Sequence, residues 1–145
     1  MTATVQTTPI QQLAAQYEEV WKVRDLDAIA SLHTEDSIFQ LHVAGGQEVI
    51  GREAIRATFA AFVAQFPDVH FAGERLRVGS GHWVFESKMT GTAASPLAVS
   101  GGEVEVAGAR LEIDCIDVIE VRDGLVARKD TYLDAAGLLA EAGRP

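Results

Sequence analysis

Apolar residues recur at three- and four-residue intervals in the first part of the chain and at two-residue intervals in the second. Ile10, Leu13, Ala14, Tyr17, Val20 and Trp21 make one helical face. Thr8-Pro9-Ile10-Gln11 offers an N-cap hydroxyl, a proline at the first helical position and a Gln placed to close a capping box. This helix is expected to end near Arg24. Asp25 can cap a short second helix through Leu26, Ile29 and Leu32. A third follows Gly51, with Ile55, Phe59, Phe62, Val63 and Phe66 inward, and Pro67 stops it. From Val69 the alternation predicts strands over Val69 to Val78, Trp83 to Thr92, Arg110 to Val121 and Leu125 to Leu133, with an earlier one over Ser37 to Val43. Asp134 can start a last short helix through Leu138 and Leu139. Helices first and meandering strands afterwards predict an α+β fold, its helices packed on one face of a curved sheet and enclosing a pocket.

The turn Val121-Arg122-Asp123-Gly124-Leu125 reads as a three-residue hairpin loop, a type I turn followed by a left-handed glycine. That register sets Asp117 opposite Lys129, Cys115 opposite Thr131 and Ile113 opposite Leu133. A two-residue turn would instead face Asp117 with Asp130, placing like charges together. In the preferred register Asp117, Lys129, Cys115 and Thr131 share the face toward the helices, while Ile116, Val118, Val126 and Tyr132 form an outer apolar face that predicts a homodimer.

Composition narrows the function. Twelve Lys and Arg against 21 Asp and Glu give a net charge of −9, the wrong sign for a protein that neutralises phosphates, so nucleic acid and membrane surfaces are not expected as partners. The single cysteine, Cys115, leaves no intrachain disulfide, and no metal-ligand spacing occurs. With no signal-like or membrane-spanning run, the expected compartment is the cytoplasm. Cys115 faces the interior and reads as a small apolar residue. His33, near Asp36 at a helix end, reads as a local hydrogen bond or cap.

Taken in order, Tyr17 before Asp25-Leu26-Asp27-Ala28-Ile29, then Glu35-Asp36, Gly51-Arg52-Glu53-Ala54-Ile55, Ile116-Asp117 and Tyr132-Leu133-Asp134 make the chain resemble the nuclear transport factor 2-like superfamily, particularly ketosteroid isomerase and the SnoaL-like polyketide cyclases. The likeness covers residues 9–143, taken as one domain after a tail over 1–8. It implies a cone-shaped, cystatin-like α+β barrel: a curved mixed or antiparallel sheet against three to four helices, with a small apolar ligand at its open mouth. In ketosteroid isomerase a tyrosine and a protonated aspartic acid donate to an enolate oxygen while a second aspartate moves the proton. Tyr17 and Asp117 match the two donors. At the base position, counting from the two ends gives Leu41 or His42, and a histidine there is a competent base near neutral pH. Alternation sets His42 beside Gln40 and opposite Phe39, Leu41 and Val43, so a bulge must rotate it inward.

Lys129 departs from the isomerase pattern. A cation across from Asp117 favours its carboxylate, leaving Lys129 either as electrophile or proton carrier or as half of a static ion pair. Limonene epoxide hydrolase needs an Asp, an Arg and an Asp where this chain has Thr131, Ser87 and Met89. Asp130, the nearest match to the cyclase aspartate, points away from the pocket.

These residues lead to an expectation of a cofactor-independent enzyme acting on a small apolar carbonyl compound, steroid- or polyketide-like, by proton transfer leading to isomerisation or cyclisation. Tyr17, His42, Asp117 and Lys129 are the candidate catalytic residues. Trp21, Phe59, Phe62, Trp83, Phe85, Met89, Cys115 and Thr131 are candidates for the ligand wall. The alternatives are a non-catalytic small-ligand binding protein and a dimerisation or protein-interaction module of the same fold.

Overall fold

The structure, a computed structural model, describes residues 8–43, 46–99, 102–134 and 136–137. Helix α1, Pro9–Lys22, opens with the expected capping box between Thr8 and Gln11 and buries Leu13, Ala14, Tyr17 and Trp21. Helix α2, Leu26–Ser31, is capped by the Asp25 side chain on the Ala28 amide. Strand β1, His33–Leu41, follows at once. It begins four residues earlier than alternation suggests, because Glu35 and Asp36 are both exposed and break the period of two. After β2, Glu48–Ile50, helix α3 runs Arg52–Gln65. Gly51 leads into it at φ 100°, a backbone angle that costs glycine little and other residues considerably more.

The remaining strands are β3 (His70–Val78), β4 (His82–Thr92), β5 (Leu97–Val99), β6 (Gly102–Val104), β7 (Arg110–Arg122) and β8 (Leu125–Leu133). Six form one curved sheet in the order β2-β1-β8-β7-β4-β3, and β5 pairs with β6 apart from it. Neighbours in the large sheet are antiparallel except β1 and β8, which run parallel. Strands β5 and β6 have no counterpart among the expected strands, because three residues are too few to show a period of two. Beyond Asp134, the predicted residues Leu138 and Leu139 lie outside the described residues.

The helices cover one sheet face. Tyr17 and Trp21 from α1 and Ile55 and Phe59 from α3 join Phe39, Trp83, Phe85, Ile119 and Val126 in one apolar cluster, and a second gathers around Phe66, Met89, Leu111 and Cys115.

The hairpin register differs from the expected one. Asp123 and Gly124 both adopt positive φ, 55° and 74°, which makes a two-residue type I′ turn whose twist matches the strands. Val121 then faces Val126, but Glu120 faces Arg128, so Ala127 is an extra residue on β8. Asp117 consequently faces Thr131, and Lys129 faces Ile119. The bulge avoids the Asp117–Asp130 clash of a regular two-residue hairpin. It also moves the register by an even number of residues, so Asp117, Cys115, Lys129 and Thr131 keep the inner face. Val126, N-terminal to the bulge, is turned into the core at 0% exposure instead of joining the outer apolar face.

Candidate functional site

A partly enclosed cavity of about 250 Å³ lies between α1, α3 and the inner sheet face. Trp21, Phe39, Phe62, Phe71, Phe85 and Met89 give it an apolar wall, into which Tyr17, Glu18, Asp117, Lys129 and Thr131 bring polar atoms. An apolar hollow with a few polar groups is the usual form of a small-molecule site.

Lys129 comes from β8 and is 7% exposed. Its Nζ donates to Tyr17 Oη at 3.4 Å and stands over the rings of Tyr17, Trp21 and Phe59 at 5.0, 4.7 and 5.1 Å. Ring faces attract a cation, but more weakly than a carboxylate does when both are removed from water. Among the described residues no acidic group forms an ion pair with it. Burial disfavours the ammonium, while Tyr17, Asp117, Glu18 and Cys115 favour it in their anionic forms, and the balance lies above the ordinary lysine value. Tyr17 is itself pushed up by burial and stays a phenol at neutral pH. Burial likewise pushes the Cys115 thiol up to about 12, so it is no nucleophile. Asp117 and Glu18 favour the charge on Lys129 without touching it.

Asp117 Oδ1 accepts a 2.6 Å hydrogen bond from Thr131 Oγ1. The corrected register explains this contact, since the two residues are directly opposed. Asp117 and Lys129 are diagonal neighbours on one face, not the expected opposed ion pair.

Two groups at the site escaped the sequence reading. Glu18, next to Tyr17, is pushed up to about 7 by burial, with Lys129 opposing the shift. It lines both the cavity and a small adjoining cleft with Lys22 and His70. His33, expected to make a local hydrogen bond or a cap, makes the local bond but inside the core: it is 0% exposed, with Nδ1 2.9 Å from Ser37 Oγ and Nε2 2.9 Å from Tyr17 Oη. Burial, with the nearby cations of Lys129 and Arg52, pushes its pKa down to about 3. Arg52 also donates twice to the His33 carbonyl, fixing the start of β1.

Of the expected site residues, Tyr17, Asp117 and Lys129 meet at the cavity, as do the expected wall residues Trp21, Phe59, Phe62, Phe85, Met89, Cys115 and Thr131. Trp83 does not line it. It is wholly buried against the Tyr17 ring at 5.9 Å, deeper in the core. His42 lies on the other side of the sheet, where Nε2 meets Asp130 Oδ1 at 2.7 Å and the ring stacks on Tyr132 at 4.2 Å. No bulge rotates it inward, and Leu41 and Val43 take the cavity side. Arg128 ties Asp130 to Glu48 on that outer face. Among the described residues there is no group of His, Cys, Asp and Glu arranged to hold a metal, and no helix long and apolar enough to cross a membrane.

This fold agrees with the comparisons. A family model described as a SnoaL-like domain matches residues 14–129, and the chain belongs to that family. Comparison with curated proteins gives no match. Among solved structures it is similar to a protein described as a SnoaL-like polyketide cyclase from Jannaschia sp. CCS1, with 19% identity, a TM-score of 0.80, and coverage of 100% of this chain and 98% of that one. A protein of ketosteroid isomerase-like fold from Catenulispora acidiphila DSM 44928, in complex with trimethylamine, shares 19% identity at a TM-score of 0.75, covering 96% of each chain. IdmH from Streptomyces antibioticus, described as a polyketide cyclase, shares 21% identity at 0.74 over 95% of this chain and 100% of that one. At such identities the likeness is one of fold.

Proposed function

We propose that this protein moves a proton next to the carbonyl group of a small apolar molecule, leading to isomerisation or intramolecular cyclisation without a cofactor. One observation carries the reading: a buried lysine cation, without an ion-pair partner among the described residues, shares the wall of an apolar cavity with the Asp117 carboxyl. A ketone bound with its oxygen toward Lys129 needs charge stabilisation only as the enolate forms, which is where a fixed cation in a dry site contributes most. Asp117 takes the proton from the carbon beside the carbonyl. The electrons of the broken C–H bond form the enolate double bond, and the carbonyl electron pair moves onto oxygen beside Lys129. Return of the proton to a different carbon isomerises the substrate, whereas attack of the enolate carbon on a second carbonyl of the same molecule closes a ring and puts that carbonyl's electron pair on its oxygen, which takes the proton back from Asp117. Glu18, held near 7, is suited to carry the proton on to water or back, because both of its protonation states are populated at neutral pH. His42 takes no part in this reading.

The test is solvent exchange. In heavy water, the α-protons of 2-tetralone, a bicyclic apolar ketone, should be replaced by deuterium faster with the protein than with buffer, followed by proton NMR. Asp117→Asn and Lys129→Met should each lower the protein-dependent rate by about 100-fold or more. Binding of the ketone with no exchange above buffer would support the ligand-binding alternative and remove the enzymatic one.

A further inference from the structure

We infer that Tyr17 is a positioning residue for Lys129, its only hydroxyl hydrogen committed to His33, and that the contact with a ligand oxygen falls to Lys129 and not to Tyr17. This rests on the proposed reaction for what the oxygen does, but the assignment itself follows from counting hydrogens.

Ser37 Oγ lies 3.0 Å from the Val126 carbonyl oxygen, which can only accept, so the serine hydrogen is given there. His33 Nδ1, 2.9 Å from the same Oγ, must then supply the hydrogen of that second bond. A neutral imidazole carries one hydrogen, so Nε2 is bare and accepts from Tyr17 Oη at 2.9 Å. Lys129 Nζ can only donate, and it fills a lone pair on Oη at 3.4 Å. Every hydrogen in the series points the same way, from Lys129 through Tyr17, His33 and Ser37 to the main chain of β8. A protonated His33 would reverse the Tyr17 bond. It is opposed by complete burial and by the cations of Lys129 and Arg52.

The fold sets this direction through an irregularity in β1. His33 and Val126 are paired, yet the next regular pair is Ile38 with Arg128, so five residues of β1 advance against two of β8. The excess bows out at Glu35 and Asp36 and brings both His33 and Ser37 back against Val126. The Trp21 indole N–H lies beside the Tyr17 hydroxyl but outside hydrogen-bonding geometry, and leaves the count unchanged. Tyr17 thus has no hydrogen to offer into the cavity, whereas Lys129 has two N–H groups beyond the one it gives to Oη. This departs from the oxyanion role that the resemblance assigned to Tyr17.

The direct test is the ring of His33 in the uniformly nitrogen-15-labelled chain, read by two-bond proton–nitrogen correlation. The expected result is a neutral ring carrying its hydrogen on Nδ1 and not titrating between pH 5 and 8. A hydrogen on Nε2, or an imidazolium in that range, overturns the inference. Ser37→Ala should shift the ring toward the other tautomer, and Ser37→Thr, which keeps the hydroxyl, should restore it. In the tetralone exchange assay Tyr17→Phe should lose only on the order of 10-fold, against about 100-fold or more for Lys129→Met. Equal losses would return the oxyanion contact to Tyr17. If the unsubstituted chain exchanges nothing, the proposed reaction fails while the tautomer spectrum still decides the hydrogen-bond direction.

Discussion

Lys129 links function to stability at the level of a single side chain. The carboxyls of Asp117 and Glu18 favour its ammonium in the fold, so a methionine of similar length removes a charge that the folded chain stabilises. Lys129→Met should therefore lower the urea midpoint as well as exchange; an unchanged or higher midpoint would show that the cost of burying the ammonium outweighs the pull of those carboxyls. Glu18→Gln should act in the opposite pH range from most carboxylate changes. It relieves a buried carboxyl that must ionise above about 7, and so should stabilise the fold at pH 8 by roughly 1–3 kcal/mol and have little effect at pH 5. Tyr17, Asp117 and Lys129 were legible as inward residues because helical spacing and strand parity fix a face. Glu18 and His33 were not. Glu18 sits at the polar edge of the α1 stripe, and only the neighbouring cavity wall shows that it is desolvated. Of the two partners of His33, Ser37 is local, whereas Tyr17 is 16 residues away on another element. For His42, strand alternation gave the correct face and family likeness suggested the other.

The β7–β8 hairpin and the irregular β1 strand determine which groups meet. The Asp-Gly signal was plain, but it is compatible with two loop lengths, and the choice depended on whether a bulge followed. Alanine 127 carries no local mark of being the extra residue. Even so, the even-numbered displacement left the inner face unchanged, which is why the expected wall largely stands despite a wrong register. Trp83 shows the limit of such reasoning, since alternation assigns a side of the sheet but not a depth along the strand. Gly124→Ala forces a side chain into φ 74° and should cost about 1–2 kcal/mol in chemical denaturation, without altering the His33 tautomer. A change in that tautomer would show that the turn, and not β1, holds the hydrogen-bond series in place.

Across the whole molecule, two buried groups shape stability against pH with opposite signs. His33 has a folded value of about 3 against about 6.5 unfolded, so between these only the unfolded chain takes the proton, and stability falls as pH drops. Glu18 has a folded value of about 7 against about 4.5, so the folded chain keeps a proton the unfolded chain has lost, and stability falls as pH rises through that window. Between about pH 4.5 and 6.5 the two slopes oppose each other. The urea midpoint should be nearly flat there, fall more steeply below, and decline toward pH 8; Glu18→Gln should remove the upper decline. The outer face keeps Ile116 and Tyr132 at 39% and 44% exposure, beside the His42–Asp130–Arg128 group. Self-association through it predicts a particle of about twice 15.5 kDa by light scattering at micromolar concentration, and a monomeric mass would contradict this. The most direct examination of the account is a crystal structure with 2-naphthol, an apolar phenol shaped like the enol of the probe ketone. The predicted result is its oxygen within hydrogen-bond distance of Lys129 Nζ and its rings among Phe39, Phe62 and Phe85. A naphthol oxygen bonded to Tyr17 but not to Lys129, or a cavity left empty at saturating naphthol, would contradict it.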